Sequence, residues 1–148
     1  MAKKKQSNSE TQETPKRERS KGYSRNKGNR YESQIAKELR ELGFTGVKTS
    51  RSESKAMDDN KVDIIDTEKK LPVNIQIKKT QSIPSYFKIR SESTVDPKTF
   101  TIIWNKQERK EKNICSVGEC VIISKELFYE LIKPYSNGRM CSEISNKG

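Results

Sequence analysis

Residues 73–78, Val-Asn-Ile-Gln-Ile-Lys, alternate apolar and polar side chains without a break, a period of two that only an extended strand turns into one dry and one wet face. Val73, Ile75 and Ile77 then share one face, while Asn74, Gln76 and Lys78 share the other, so Gln76 and Lys78 are neighbours. Upstream, the β-prone run Val62-Asp63-Ile64-Ile65 carries an aspartate. Strands are depleted of aspartate unless something stabilises it there, and a hydrated cation would do so.

A third polar group comes from a helix. From about residue 29 to residue 42, Ile35, Ala36, Leu39 and Leu42 recur at the spacing of one apolar helix face, and Gly43 is placed to stop it. Glu32 lies three, four and seven residues before Ile35, Ala36 and Leu39, inside that apolar sector. It is expected to point toward the sheet, where an unpaired charge is costly and a metal or a basic partner would offset the cost.

The 148 residues suit one domain with tails; 30% hydrophobic content and a mean hydropathy of −1.01 allow only a modest core. Residues 1–27 have almost no aliphatic side chains, so they read as a disordered basic arm. The first thirty residues hold ten Lys and Arg against three Glu, +7 of the chain's +11. That charge favours a polyanionic partner, nucleic acid first and an acidic membrane surface second. No apolar run is long enough to span a bilayer or form a signal-peptide core, so a cytoplasmic protein is expected. Cys115, Cys120 and Cys141 lack the spacing of zinc or redox sites and read as reduced thiols. The chain has no histidine, which excludes His-metal nucleases, Ser-His-Asp hydrolases and Cys-His chemistry together. Phosphodiester cleavage here would have to use carboxylates, lysine and a divalent metal.

The remaining signals place further elements. A short strand is expected near residues 47–50, then a polar loop over residues 51–61 containing Glu53, Asp58 and Asp59, then a hairpin of strands 61–66 and 71–79 turning through residues 67–70. A short helix follows Pro84, a strand covers residues 99–104, a charged loop residues 107–113, and another strand residues 119–123. Ser124 reads as the N-cap of a last helix with Leu127, Phe128, Leu131 and Ile132 on its apolar face, stopped by Pro134. The order predicts a small α/β domain, a mixed sheet flanked by helices, over residues 28–133, with a flexible tail at 134–148.

The stretches Gly28-Asn29-Arg30-Tyr31-Glu32, Val62-Asp63-Ile64 and Gln76-Ile77-Lys78 resemble the three motifs of PD-(D/E)XK nucleases, with the closest likeness to archaeal-type Holliday junction resolvases and their phage relatives. The resemblance runs over residues 28–79 and more loosely to residue 133. It implies a restriction-endonuclease-like fold and a catalytic set of Glu32, Asp63, Gln76 and Lys78. Glu32, Asp63, Gln76 and the backbone carbonyl of Ile77 would hold one or two Mg²⁺ (or Mn²⁺) ions, with Lys78 helping to activate water. The sequence departs from the pattern at Gln76, where the motif has an acid; an amide oxygen can ligate Mg²⁺ but brings no charge, unless Glu53, Asp58 or Asp59 supplies it.

Arg30, Arg51, Lys79 and Arg90 are candidate phosphate contacts, with ordinary solvated charge as the alternative. Ser52 and Ser54 resemble the Ser/Arg loop of resolvases, against the alternative of a common polar loop. Trp104 and Phe100 read as core. Two functions are compatible with all this: a Mg²⁺-dependent endonuclease acting as a homodimer on branched or four-way DNA, in the host cytoplasm if the chain is viral; or a non-catalytic nucleic-acid-binding protein on a degenerate nuclease fold.

Overall fold

A computed structural model of the chain describes residues 21–53 and 60–136. Ser54, Asp58, Asp59 and Cys141 lie outside the described residues, as do residues 1–20 of the expected arm and residues 137–148 of the expected tail.

The elements run α1 (Lys21–Glu41), β1 (Val47–Thr49), α2 (Ser50–Glu53), β2 (Ile64–Asp66), β3 (Asn74–Thr80), α3 (Tyr86–Ser91), β4 (Phe100–Lys110), β5 (Asn113–Ile123) and α4 (Lys125–Ser136). The strands form one mixed sheet in the order β1-β2-β3-β4-β5, antiparallel throughout except for the parallel pair β3–β4. The expected mixed sheet flanked by helices is the architecture found.

Helix α1 covers one sheet face. Tyr31, Ile35 and Ala36 pack with Val47, Ile64, Ile75 and Ile77, so the apolar half of the 73–78 alternation faces the helix as its period requires. On β4 the residues paired with Gln76 and Asn74 are Ile102 and Phe100, which belong to the opposite face and its second core with Tyr86. The Tyr86 hydroxyl donates to the Phe100 carbonyl at 3.0 Å, satisfying a buried polar group and fixing α3 on that face. Phe100 and Ile102 are fully buried, each contributing about 1.5–3 kcal/mol by burial.

Gly43 stops α1 as expected. At φ 103° it takes the left-handed conformation, its N–H donates to the Arg40 carbonyl, and the Phe44 N–H reaches the Leu39 carbonyl, satisfying carbonyls the last turn leaves open. Leu39 and Phe44 pack together against the core, whereas Leu42, expected on the apolar face, is 75% exposed because the chain has already turned.

Several expected boundaries are corrected. The first helix begins at Lys21 rather than near residue 29, since its early turns are polar and carry no stripe to announce them. The strand bearing the aspartate starts at Ile64, and Asp63 precedes it while still donating its N–H to the Ile75 carbonyl at 2.9 Å. Its partner starts at Asn74 rather than residue 71, because Asp66 closes a wider connection on its own carboxylate, which accepts the N–H groups of Glu68, Lys70 and Leu71. The expected charged loop at 107–113 is instead the far end of a long β4–β5 hairpin turning at Glu111 and Lys112. Glu111 takes φ 51° without being Gly or Asn, so the turn lacks its usual sequence mark. Asn105 and Gln107 are buried on β4 by hydrogen bonds rather than by apolar contact, Gln107 donating to Asn105 and Asn105 to Glu119. Ser124 caps α4 through Leu127 N–H at 3.1 Å, but Pro134 sits inside the last turn instead of ending the helix, where its missing N–H removes only one terminal bond. Only Leu127 of the expected apolar face is buried; Phe128, Leu131 and Ile132 are exposed.

Asp66 yields a pH signature. Desolvation, the largest single influence, pushes its pKa up, but the hydrogen bonds from Leu71, Glu68 and Lys70 and the Lys70 charge together outweigh it and hold the carboxyl below its usual range. A depressed folded pKa adds stability that is present above the unfolded value, about 4, and is lost as pH falls through the folded value. Asp66→Asn, which keeps one acceptor oxygen, is expected to melt lower than the parent at pH 7 and to show a shallower loss of melting temperature on going to pH 3. Parallel pH curves for the two proteins would refute this.

Candidate active site

The β2–β3 junction gathers the strand candidates. Asp63 is 7% exposed and Gln76 4%. The Ile77 N–H donates to Asp63 Oδ2 at 2.6 Å, and Gln76 Nε2 donates to the same oxygen. Gln76 Nε2 also lies 3.5 Å from the Ile77 carbonyl. The carboxylate is thus oriented by a strand that does not carry it. Gln76 Oε1, by contrast, is buried and accepts no hydrogen bond. An orphaned carbonyl oxygen of this kind costs about 1–3 kcal/mol, and it is well suited to a cation that prefers oxygen ligands.

Lys78 follows on the same side of β3, half-buried and paired across to Trp104. The Trp104 indole is held by Thr80, to whose hydroxyl it donates at 3.0 Å. Phe100 is core as expected, and Trp104 packs at the margin of that second core.

Glu32 is 6% exposed on α1, confirming the inward direction read from its spacing. Its described partner is basic: Arg51 Nη2 lies 3.3 Å from Glu32 Oε1, and Nη1 donates to Asn29 Oδ1. Arg51 sits in α2, whose first residue, Ser50, donates its N–H to the Asp63 carbonyl at 2.8 Å. One peptide therefore links the helix carboxylate's partner to the strand carboxylate's backbone. Ser50 is fully buried with its hydroxyl unpartnered, and no sequence motif marks it. Ser52 itself is exposed, its hydroxyl turned back to the Thr49 carbonyl at 2.7 Å.

The remaining basic candidates divide between two places. Arg30 and Lys79 line a cleft of about 370 Å³ with Asn26, Lys27, Tyr31 and Gln34. Lys79 Nζ stands 4.9 Å from the Tyr31 ring centroid, and burial together with the Lys27 charge lowers its pKa. Lys27 is anchored by donating to Gln107 Oε1 at 3.0 Å. Arg90 lies apart on α3, near Glu126, whose pKa it helps to lower. Lys27 and Asn29 were missed by the sequence reading, although Asn29 shares the Glu32 face at a spacing of three.

The donor set tests whether a metal suits this place. The buried Asp63 carboxylate, the orphaned Gln76 amide oxygen and the nearby Ile77 carbonyl are hard oxygen donors, the kind Mg²⁺ or Mn²⁺ takes, so these residues fit, while Glu32 is a further buried carboxylate joined to them through Arg51 and Ser50. Among the described residues no three Asp, Glu, Cys or His side chains gather as a metal-binding group, and the oxygen next to Asp63 comes from an amide.

No described helix is long and apolar enough to cross a membrane. Comparison with curated proteins finds no match, nor does comparison with solved structures. A family model described as archaeal Holliday junction resolvase (Hjc) matches residues 23–100, from the first turns of α1 to the start of β4. That span is more than half of the chain and contains Glu32, Asp63, Gln76 and Lys78 on the elements just described. The chain therefore belongs to the archaeal Holliday junction resolvase family, a nuclease family of the PD-(D/E)XK superfamily.

Proposed function

We propose that the protein is a Mg²⁺-dependent, structure-selective DNA endonuclease, a Holliday junction resolvase that cuts branched DNA as a homodimer in recombination or repair. Its place of action is the cytoplasm, the host's if the chain comes from a bacteriophage. The observation that carries the reading is the buried pair Asp63–Gln76 with its orphaned amide oxygen, two residues from Lys78 on the same side of β3.

In this reading Asp63, Glu32, Gln76 Oε1 and the Ile77 carbonyl hold the cation. When bound, Mg²⁺ (or Mn²⁺) lowers the pKa of a coordinated water and neutralises charge developing on the phosphate. The Ile77 N–H keeps Asp63 in one rotamer, which fixes the direction of its carboxylate. Lys78 provides a compact cation beside the attacked phosphate, where its charge helps to activate the attacking water. Arg30 and Lys79, in the cleft beside α1, contact backbone phosphates, with Arg51, Ser52, Ser54 and Arg90 as further contacts.

The homodimer follows from the substrate, since paired cuts across a two-fold junction need two active sites. Exposed Phe128, Leu131 and Ile132 on α4, with Val117 and Val121 on β5, supply apolar surface for a second copy. Leu131→Glu is expected to shift the sedimentation coefficient from dimer toward monomer while leaving the circular dichroism spectrum unchanged. A variant that stays dimeric would place the interface elsewhere.

Asp63→Asn and Lys78→Ala are each expected to cut cleavage of a labelled four-way junction by at least about a hundredfold, about 2.7 kcal/mol of transition-state stabilisation, while junction binding persists. Wild-type cutting by either variant would refute the assignment. Wild-type protein that binds the junction yet never cuts it with Mg²⁺ or Mn²⁺ would favour the non-catalytic alternative.

Gln76→Glu replaces the bond to Asp63 by a second carboxylate, so it is expected to melt lower without metal and to need less Mg²⁺ for half-maximal cleavage. Gln76→Leu offers no ligand and is expected to need more Mg²⁺ or to stop turning over. Equal Mg²⁺ requirements for Gln, Glu and Leu would remove position 76 from the site.

A further inference from the structure

Arg51 occupies the carboxylate that the proposed function assigns to the metal. Asn29 and Glu32, three residues apart on α1, present their oxygens on one face, and the planar guanidinium bridges them through Nη1 and Nη2. The two ends of the ion pair are unlike: the Glu32 side chain is 8% exposed, that of Arg51 38%. The acid is fixed by a helix packed on the core, while the base reaches it from the solvent side on a four-residue helix.

That asymmetry decides which partner can leave. A carboxylate this buried needs a positive neighbour, because a buried charge without one is strongly destabilising. Arg51 supplies that charge without metal. A divalent cation drawing on the same oxygen would stand close to the guanidinium, and two positive charges at contact distance repel in a partly desolvated site. Arg51 can swing into water, whereas Glu32 is directed inward by the packing of α1 on the sheet. The Ser50 N–H to Asp63 bond anchors the backbone beside Arg51, so only its side chain need move.

We propose that Arg51 is an internal counter-ion that neutralises Glu32 until a divalent metal displaces it, and so sets the metal concentration at which the site fills. Arg51 is in this sense a positioning residue: it acts through Glu32. The inference rests on the reading of Glu32 as a metal-holding residue.

The experiment is calorimetric titration of Mn²⁺ into the full chain without DNA. The proteins are the parent, Arg51→Gln, Arg51→Lys, Glu32→Gln and the Arg51→Gln/Glu32→Gln double variant, with Arg51→Ala replacing Arg51→Gln should that protein fail to fold. Arg51→Gln is expected to bind Mn²⁺ about two- to tenfold more tightly, the range set by a partly exposed ion pair, and to melt lower than the parent before metal is added. Arg51→Lys, which keeps the charge and loses the fork, is expected to fall between them. In the Glu32→Gln background the Arg51 substitution is expected to change nothing. Unchanged or weaker binding by Arg51→Gln, with Glu32→Gln weakened, overturns the counter-ion and leaves Glu32 in the site. Parent-like binding by Glu32→Gln overturns the metal-holding role of Glu32 itself, and the counter-ion with it.

Discussion

One carboxylate oxygen, Asp63 Oδ2, holds the centre of this molecule together. It accepts from the Ile77 backbone and from the Gln76 amide, so a side chain outside the strands takes a place that a ladder carbonyl would otherwise fill. The consequences reach both ways. Toward β3, the bonds keep Gln76 turned inward beside Ile102 and leave Lys78 on the same side two residues on. Toward β1, the Asp63 carbonyl takes the Ser50 N–H, which sets where α2 starts and where Arg51 meets α1. A short β2 of three residues is enough because these bonds supplement its pairing.

The glutamine at position 76 fits that arrangement better than an acid would without metal. An amide can donate to Asp63 and still present an oxygen, whereas a second carboxylate could only repel. The same amide therefore stabilises the fold through its donor while its oxygen stays unpartnered. Arg51 plays the matching part on the helix side, where Glu32 also finds a positive partner within the protein. Both acids of the site have protein donors.

Much of this was legible in the sequence, and the limits of that legibility are physical. The inward direction of Glu32 followed from its spacing to Ile35, Ala36 and Leu39, and the two faces of β3 from strict alternation, because burial of apolar side chains enforces both periods. The Ser124 cap and the Gly43 stop were readable for the same kind of local reason. The outer half of the β4–β5 hairpin was not. Asn105 and Gln107 are buried by a polar network under α1, reaching Glu119, Ser116 and Lys27, and a pattern search for apolar residues passes over them. Nor could any local pattern show that Arg51 pairs with Glu32, nineteen positions away, since that contact exists only once α1 and α2 meet at the sheet edge.

The parallel pairing of β3 with β4 bears on how the chain comes to this state. The β4–β5 hairpin closes between Lys110 and Asn113, whereas registering Asn74 beside Phe100 requires the whole intervening segment, with α3, to be confined first. Loop-closure entropy favours the hairpin as the earlier event and makes it the template on which β3 docks. Glu32, Asp63 and Gln76 lie on α1, just before β2 and on β3, so their mutual geometry is acquired after the template exists. The candidate site and the folding template are thereby divided along the chain: the C-terminal hairpin supplies the platform, and the earlier segments bring the candidate site residues to it.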